Sequence, residues 1–428
     1  MKYQEFLDYI YQRHSGNIKL GLDRIENILR AMDHPNLKLN GIHIAGTNGK
    51  GSTAAICEAL SIEHGLKTGL NTSPHLIDYC ERIRVNGKNI NLDEIISVYK
   101  HWANIFEANE ASFFEITTAM AFSVFYSKNV ENAIFEVGLG GRLDGTNPFK
   151  STVAVITSIS YDHLKSLGNT IEKIAYEKAG IIKENTPVVI GRMDSVASKI
   201  IEDRAKAMNA QFFKYGRDFS VSNIKMSESS TSFDYNSKQL NLTDITVNLL
   251  GEHQAYNAAL AIKAFIVFLQ QINRNFNNPE IYRALNKVNW QGRMQIISRN
   301  PTIIIDGAHN EEGIKALKYN VKRIFPKKRI YFVLAILRDK KLETIIKDIC
   351  EISYKVYITK NKSNRAAEIE DQVKFVRKND LPFEVHKDVI SAVMKARSDA
   401  EIESVIMVSG SLYTIAEVLR EINRITNS

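Results

Sequence analysis

The residues best placed to do chemistry lie in "HIAGTNGKGSTAA", 43–55. Strand-like residues lead into a glycine-rich turn, and a helix-like run leaves it. That arrangement lets backbone N–H groups and a helix N-terminus receive phosphate oxygens. Lys50 would reach the terminal phosphates of a nucleotide, and the hydroxyl of Ser52 or Thr53 would support Mg²⁺. The spacing is not that of G-x-x-x-x-G-K-[ST]. Two residues separate Gly46 from Gly49, and Gly51 stands between Lys50 and Ser52. On local pattern alone, a phosphate loop and a glycine-rich turn with a solvated lysine are equally good readings. A switch GTPase is disfavoured, because "NKVN" and "NKSN" both lack the aspartate of N-K-x-D.

Other polar groups follow apolar runs. In "NTSPHLIDYCERIRVNG", 71–87, Ser73 reads as a turn-former with a metal ligand as the alternative. Asn86-Gly87 marks a tight turn, and Glu81, Arg82 and Arg84 read as a solvated strand edge. Glu136 in "IFEVGLGGRLDGTN" ends an apolar run just before a glycine-rich loop. Ligands sit at such strand ends in open α/β sheets, and a carboxylate there suits Mg²⁺, with a carboxylate that caps the following turn as the alternative. Asp162 and His163 come after another strand, again at the ligand edge, where a lone His is more often structural than catalytic, while Lys178, beside Glu177, reads from bare sequence as a surface ion pair. Later, "IIIDGAHN" sets Asp306 and His309 past a third apolar run, and "LAILRDKK" and "VSGSLY" end strands in the same way.

The elements that must position these groups alternate. Apolar strands at "KTGLN", "NAIFEVG", "TVAVITSIS" and "TPVVIG" are separated by helical stretches at 92–109, 114–127 and 170–178, the pattern of a mostly parallel sheet covered on both faces. Between about 210 and 250, short β-rich segments predict added antiparallel strands. A long helix begins near His253, "WQGR" at 290–293 connects, and alternation restarts with "TIIIDGA", "RIYFVLAIL", "YKVYITK", "FEVH" and "SVIMVSG". That second α/β segment has no G-x-G-x-x-G after its first strand, so no dinucleotide site is expected.

At 428 residues, two domains are expected. The net charge of +8 is spread along the chain, which disfavours nucleic acid and leaves room for a polyanionic small substrate. No apolar run is long enough to span a membrane, and the charged N-terminus does not read as an export signal. Cys57, Cys80 and Cys350 are scattered with no C-x-x-C pair, as expected of a cytoplasmic chain without disulfides or zinc.

In collinear order, "KLGLDRIENIL", "HIAGTNGKGS", "TSPHL…ERIRVNG", "EVGLGGRLDGTN", "DHLKSLGNTIEKIAYEKAGI", "GEHQAYNAALA", "DGAHN" and "VSGSLY" resemble the ATP-dependent Mur-ligase superfamily, and within it the folylpolyglutamate and dihydrofolate synthases. The resemblance implies a P-loop-type, mostly parallel ATPase domain over 1–293 and a smaller Rossmann-like α/β glutamate-ligase domain over 294–428. It implies that ATP activates a folate or dihydropteroate carboxylate as an acyl phosphate, which L-glutamate then attacks. Thr47, Asn48, Gly49, Lys50, Gly51, Ser52 and Thr53 would hold the nucleotide, with Asn257, Arg293, Asp306 and His309. His309 would come from across an inter-domain cleft.

The same resemblance makes Ser73, Glu136 and His163 ligands of Mg²⁺, two ions being expected. Lys178 would be carbamylated by CO₂ and help place a metal, which reverses its surface reading. K⁺ is a further expectation, and the chain is expected to be a monomer. The family pattern is broken at Gln291 of Q-G-R, at Glu311 after D-G-A-H-N, and at Ala335 and Lys341 around Asp339-Lys340. Those changes bear on glutamate or cation binding in the second domain. The competing readings are a peptidoglycan Mur ligase, which would need a nucleotide-sugar domain before the phosphate loop, and a nucleotide-binding regulator without ligase activity.

Overall fold

The computed structural model describes residues 3–13 and 21–426; the "KLGLDRIENIL" segment therefore begins outside the described residues. The chain divides into two compact units. One runs through Asn223 and includes Phe233–Val247 and Ala255–Val288; the other comprises Ile224–Ser232, Asn248–Gln254 and Asn289 onward.

In the first unit β1 (Gly41–Ala45), β2 (Thr68–Asn71), β3 (Ile83–Val85), β4 (Lys88–Asn89), β5 (Asn132–Glu136), β6 (Val153–Ile156), β7 (Val188–Ile190) and β8 (Phe212–Lys214) form one sheet in the order β4-β3-β2-β5-β1-β6-β7-β8. The strands from β2 to β8 pair in parallel, and β3 and β4 add an antiparallel edge. Every residue of β1, β2, β5, β6 and β7 is buried, which is why these strands read as continuous apolar runs rather than alternations. The turn between β3 and β4 is Asn86-Gly87, both with positive φ, the left-handed pair that a two-residue hairpin requires.

One expectation changes. The segment at Phe212 was expected among antiparallel additions, but β8 joins β7 in parallel. The cause is the helix Ser195–Ala207 between them, which makes the connection a crossover rather than a hairpin. The strands that follow, β9 (Phe219–Met226), β10 (Thr231–Ser237) and β11 (Asn241–Val247), make a separate three-stranded sheet ordered β11-β10-β9.

The second unit carries β12 (Gln295–Arg299), β13 (Thr302–Ile305), β14 (Ile330–Leu334), β15 (Lys355–Ile358), β16 (Phe383–Val385) and β17 (Val405–Ser409), ordered β12-β13-β17-β14-β15-β16. All neighbours are parallel except β12, an antiparallel edge on β13. The sequence pattern does not anticipate β12, whose residues are only half-buried and show neither an apolar run nor a clean alternation. Among the described residues no helix is long and apolar enough to cross a membrane.

Between β5 and its covering helix lies an aromatic core. Phe135 stacks on Phe122 with centroids 4.3 Å apart and meets Phe149 at 5.0 Å. Phe135 immediately precedes Glu136, so this packing fixes the end of the strand that presents the carboxylate. Replacing Phe135 with Ala should cost about 3–5 kcal/mol of stability by chemical denaturation, since a fully buried ring leaves a cavity. A loss under about 1 kcal/mol would mean that the strand end is held by something else.

Candidate active site

Parallel order places the loops after β5, β1 and β6 side by side, and these loops carry most of the chemistry. After β1, Gly46 has φ +148 and Gly49 φ +89. A Cβ at Gly46 would fall 1.9 Å from Thr157 Oγ1, and one at Gly49 would fall 2.5 Å from Asn257 Oδ1. The short spacing is thus demanded twice over, by backbone conformation and by close neighbours. Gly49 caps the helix Lys50–Glu63 without a side-chain hydrogen bond, which leaves the first amides to be met by an anion. Gly51 and Ser52 lie buried in that first turn, and the buried Thr53 hydroxyl has no hydrogen-bond partner.

The segment after β6 staples this loop, a role that sequence reasoning missed. The Thr47 N–H donates to Ser158 O (2.8 Å) and the Asn48 N–H to Ser158 Oγ (3.0 Å). Thr157 Oγ1 donates to Asn48 O at 2.6 Å, and the Ser160 N–H donates to Thr47 Oγ1 at 3.0 Å. Thr47 and Asn48 therefore commit these groups to shaping the loop. The only sequence signal was the run of hydroxyls in "TSIS".

Two lysines converge on one carbonyl. Lys50 Nζ donates to Gly46 O at 3.1 Å and to Thr47 O at 3.2 Å, while Lys178 Nζ donates to Gly46 O at 2.8 Å. Lys178 comes from the last turn of the helix Ile171–Ala179 and is only 5% exposed, so it is no surface ion pair. Glu177 pairs instead with Arg142 at 2.8 Å. Burial, and then the charge of Lys50, pull the Lys178 ammonium down to about 7, against the opposing pull of Asp162 and Asp144. At neutral pH a large share of Lys178 is therefore the free amine.

Glu136 ends β5 opposite Ile44, is nearly buried, and accepts the Ser73 N–H at 3.2 Å. The sequence reading of Glu81, Arg82 and Arg84 as a solvated edge is corrected here. Glu81 accepts the N–H groups of Leu76, Ile77 and Asp78 and so builds the loop after Ser73. Arg82 is buried, donates to His75 Nδ1 at 2.7 Å and covers the ring of Phe113. Arg84 meets the buried Glu58 at 3.0 Å. Alternation in sequence could not reveal that these charges face inward.

His163 is exposed, has φ 50 and caps the short helix Leu164–Leu167, with its N–H on Asp162 Oδ1 at 2.8 Å. Among the described residues no three His, Cys, Asp or Glu side chains form a metal cage. The expected set contains only two of those types, Glu136 and His163. It fits an ion such as Mg²⁺ that keeps water and substrate oxygens, rather than one held entirely by protein.

In the second unit the end of β13 and the connection before β12 are clasped together. Asp306 accepts the Met294 N–H and the Ala308 N–H, each at 2.8 Å, so its buried carboxylate shapes the connection. The Gly307 N–H donates to Gly292 O at 2.9 Å, and a Cβ at Gly307 would lie 2.9 Å from Arg293 Nη1. His309 Nδ1 lies 2.8 Å from Gly307 O, which puts an imidazole proton on Nδ1. Two departures from the family pattern meet here, as Glu311 and Lys341 pair at 2.9 Å. Gln291 is exposed, and Ala335 is fully buried with its carbonyl accepting from Thr414 Oγ1 at 2.8 Å.

The Mur ligase middle domain matches residues 44–265, and the Mur ligase glutamate ligase domain matches 292–412. The dihydrofolate synthase/folylpolyglutamate synthase of Bacillus subtilis is 33% identical over 98% of this chain and 99% of its own. The chain belongs to the dihydrofolate synthase/folylpolyglutamate synthase family of Mur ligases. Within this family, Mycobacterium tuberculosis folylpolyglutamate synthase complexed with ADP superposes with a TM-score of 0.92 at 29% identity, covering 99% of this chain and 98% of that one. Escherichia coli FolC in complex with DHPP and ADP gives a TM-score of 0.90 at 28% identity, covering 99% and 98%.

The depressed Lys178 has a consequence for stability. Its folded-state pKa lies below the unfolded value, so between about 7 and the ordinary lysine range the unfolded chain holds more protons, and stability rises with pH. In CO₂-free buffer, the unfolding free energy of the wild type should climb across that window relative to Lys178→Met. Parallel curves for the two proteins would contradict the assignment.

Proposed function

We propose that this chain joins L-glutamate to a folate, extending tetrahydrofolate, converting dihydropteroate to dihydrofolate, or both. It is an ATP-dependent acid–amino-acid ligase by family. The observation that carries the reading is the junction at Gly46, where the glycine-rich loop at a helix N-terminus, Lys50 and the buried Lys178 meet. ADP and DHPP in the solved E. coli relative support nucleotide and substrate ligands of this kind.

On this reading a carboxylate oxygen of the folate attacks the γ-phosphorus of ATP, and ADP leaves. The glutamate amine then attacks the acyl carbon, loses a proton, and phosphate departs. Such a reaction needs charge neutralisation and alignment more than a protein nucleophile. The amides of the first turn of Lys50–Glu63 and the Lys50 ammonium would face the phosphates, with Asn257 against the loop and Arg293 supplying a second cation. Asp306 would act by holding the backbone around Arg293, and His309 would stand beside the nucleotide.

Ser73, Glu136 and His163 would hold Mg²⁺, which when bound neutralises phosphate charge. We assign no ligands to K⁺. Lys178 would react as the free amine: its lone pair forms a bond to the carbon of CO₂, its proton leaves, and a carbamate anion results. An amine brought to about 7 supplies the form that this reaction requires.

Phosphate release from ATP should require L-glutamate together with dihydropteroate or tetrahydrofolate, and the ratio of the two rates assigns the synthase activities. No release with either acceptor would contradict the proposal. Lys178→Ala should lose about a hundredfold or more in turnover, with partial recovery on adding a short carboxylate. Unchanged turnover in that variant would remove the carbamate.

A further inference from the structure

The scheme above makes no use of a fully buried imidazole on β1, His43. We propose that His43 is a positioning residue that acts through the Thr146 hydroxyl to fix the Asp144 carboxylate, and with it the loop 138–147 that lies against Lys178. The inference leans on the ligase reading only for its kinetic readout.

The hydrogen bonds run in one direction. His43 Nε2 lies 2.8 Å from Thr146 Oγ1, and Thr146 Oγ1 donates to Asp144 Oδ1 at 2.6 Å. Asp144 also accepts the Thr146 N–H at 3.0 Å and the Leu139 N–H at 2.8 Å, so both carboxylate oxygens are acceptors. A hydroxyl has one proton, and here it goes to Asp144. Thr146 must therefore accept from His43, which puts the imidazole proton on Nε2. The buried Nδ1 has no hydrogen-bond partner, and a proton there would be an unmet donor. Burial, and then the charge of Lys183, hold the imidazole down to about 3, so His43 is neutral at working pH. Burial also pushes the Asp144 carboxyl up, and the Thr146 hydroxyl and the N–H groups of Leu139, Thr146 and Gly138 work against that by favouring its anion.

What the chain supports is the loop between Glu136 and the backbone of Lys178. The Arg142 N–H donates to Glu177 O at 2.7 Å. A Cβ at Gly141 would sit 2.9 Å from Glu177 O and 3.0 Å from Lys178 O. Asn147 Nδ2 donates to Arg142 O at 2.7 Å and to Gly180 O at 3.3 Å. A displaced Asp144 would thus be felt at the end of the helix that carries Lys178. The phosphate loop has its own staple at 157–160 and would be spared.

Long-range ¹⁵N–¹H correlation on the unliganded protein at pH 7 should find His43 protonated at Nε2 and bare at Nδ1. A protonated Nδ1 or an imidazolium would overturn the proposal, whatever the enzyme's activity. In turnover assays His43→Gln, which keeps an N–H near the position of Nε2, should stay within about threefold of wild type, whereas His43→Leu and Thr146→Val should each lower kcat about tenfold, with the KM for ATP unchanged. The double variant His43→Leu/Thr146→Val should be no worse than either single change. Equal damage from Gln and Leu, or losses that multiply in the double variant, would reduce His43 to ordinary core packing. If the wild type itself turns over no glutamate, the ligase reading falls, and the tautomer still decides the fate of this proposal.

Discussion

The site depends on one crowded oxygen. Gly46 O receives hydrogen bonds from both Lys50 and Lys178 where the second amine is almost wholly enclosed. Two ammonium groups that close to each other, one of them stripped of water, oppose full protonation of both. Burial, and then the charge of Lys50, hold the Lys178 ammonium below the ordinary lysine range. The positive-φ glycines aim that carbonyl, the 157–160 staple keeps it there, and the loop 138–147 holds the backbone from which Lys178 reaches it.

Topology makes the junction possible. β5, β1 and β6 are consecutive neighbours in the sheet though far apart in sequence, so Glu136, the phosphate loop and the 157–163 segment leave the same edge. The second unit repeats the device, since Asp306 and Gly307 at the end of β13 grip the Gly292–Met294 connection. In both units, backbone amides and carboxylates set the loops, and the cationic side chains project from frames already fixed.

Much of this was written in the chain. Continuous apolar runs before polar loops marked β1, β5, β6, β13, β14 and β17, because strands buried on both faces carry no alternation. The left-handed pair Asn86-Gly87 and the closely spaced Gly46 and Gly49 announced their turns in the same direct way. What stayed hidden depends on contacts distant in sequence. β12 is half-buried and short, and β8 is parallel only because a helix precedes it. Lys178 looks like a solvated partner of Glu177 until the fold encloses it, and Glu81 looks like surface charge until three amides point at it. The family resemblance supplied the carbamate expectation for Lys178, where the bare sequence offered a surface ion pair.

The most direct test is to expose the protein to ¹³C-labelled bicarbonate and observe the carbamate carbon by NMR. A carbamate resonance is expected in the wild type, stronger as pH rises through about 7 at fixed dissolved CO₂, and missing in Lys178→Met. A fully active wild-type enzyme with no such resonance, or a resonance that survives in Lys178→Met, would contradict it.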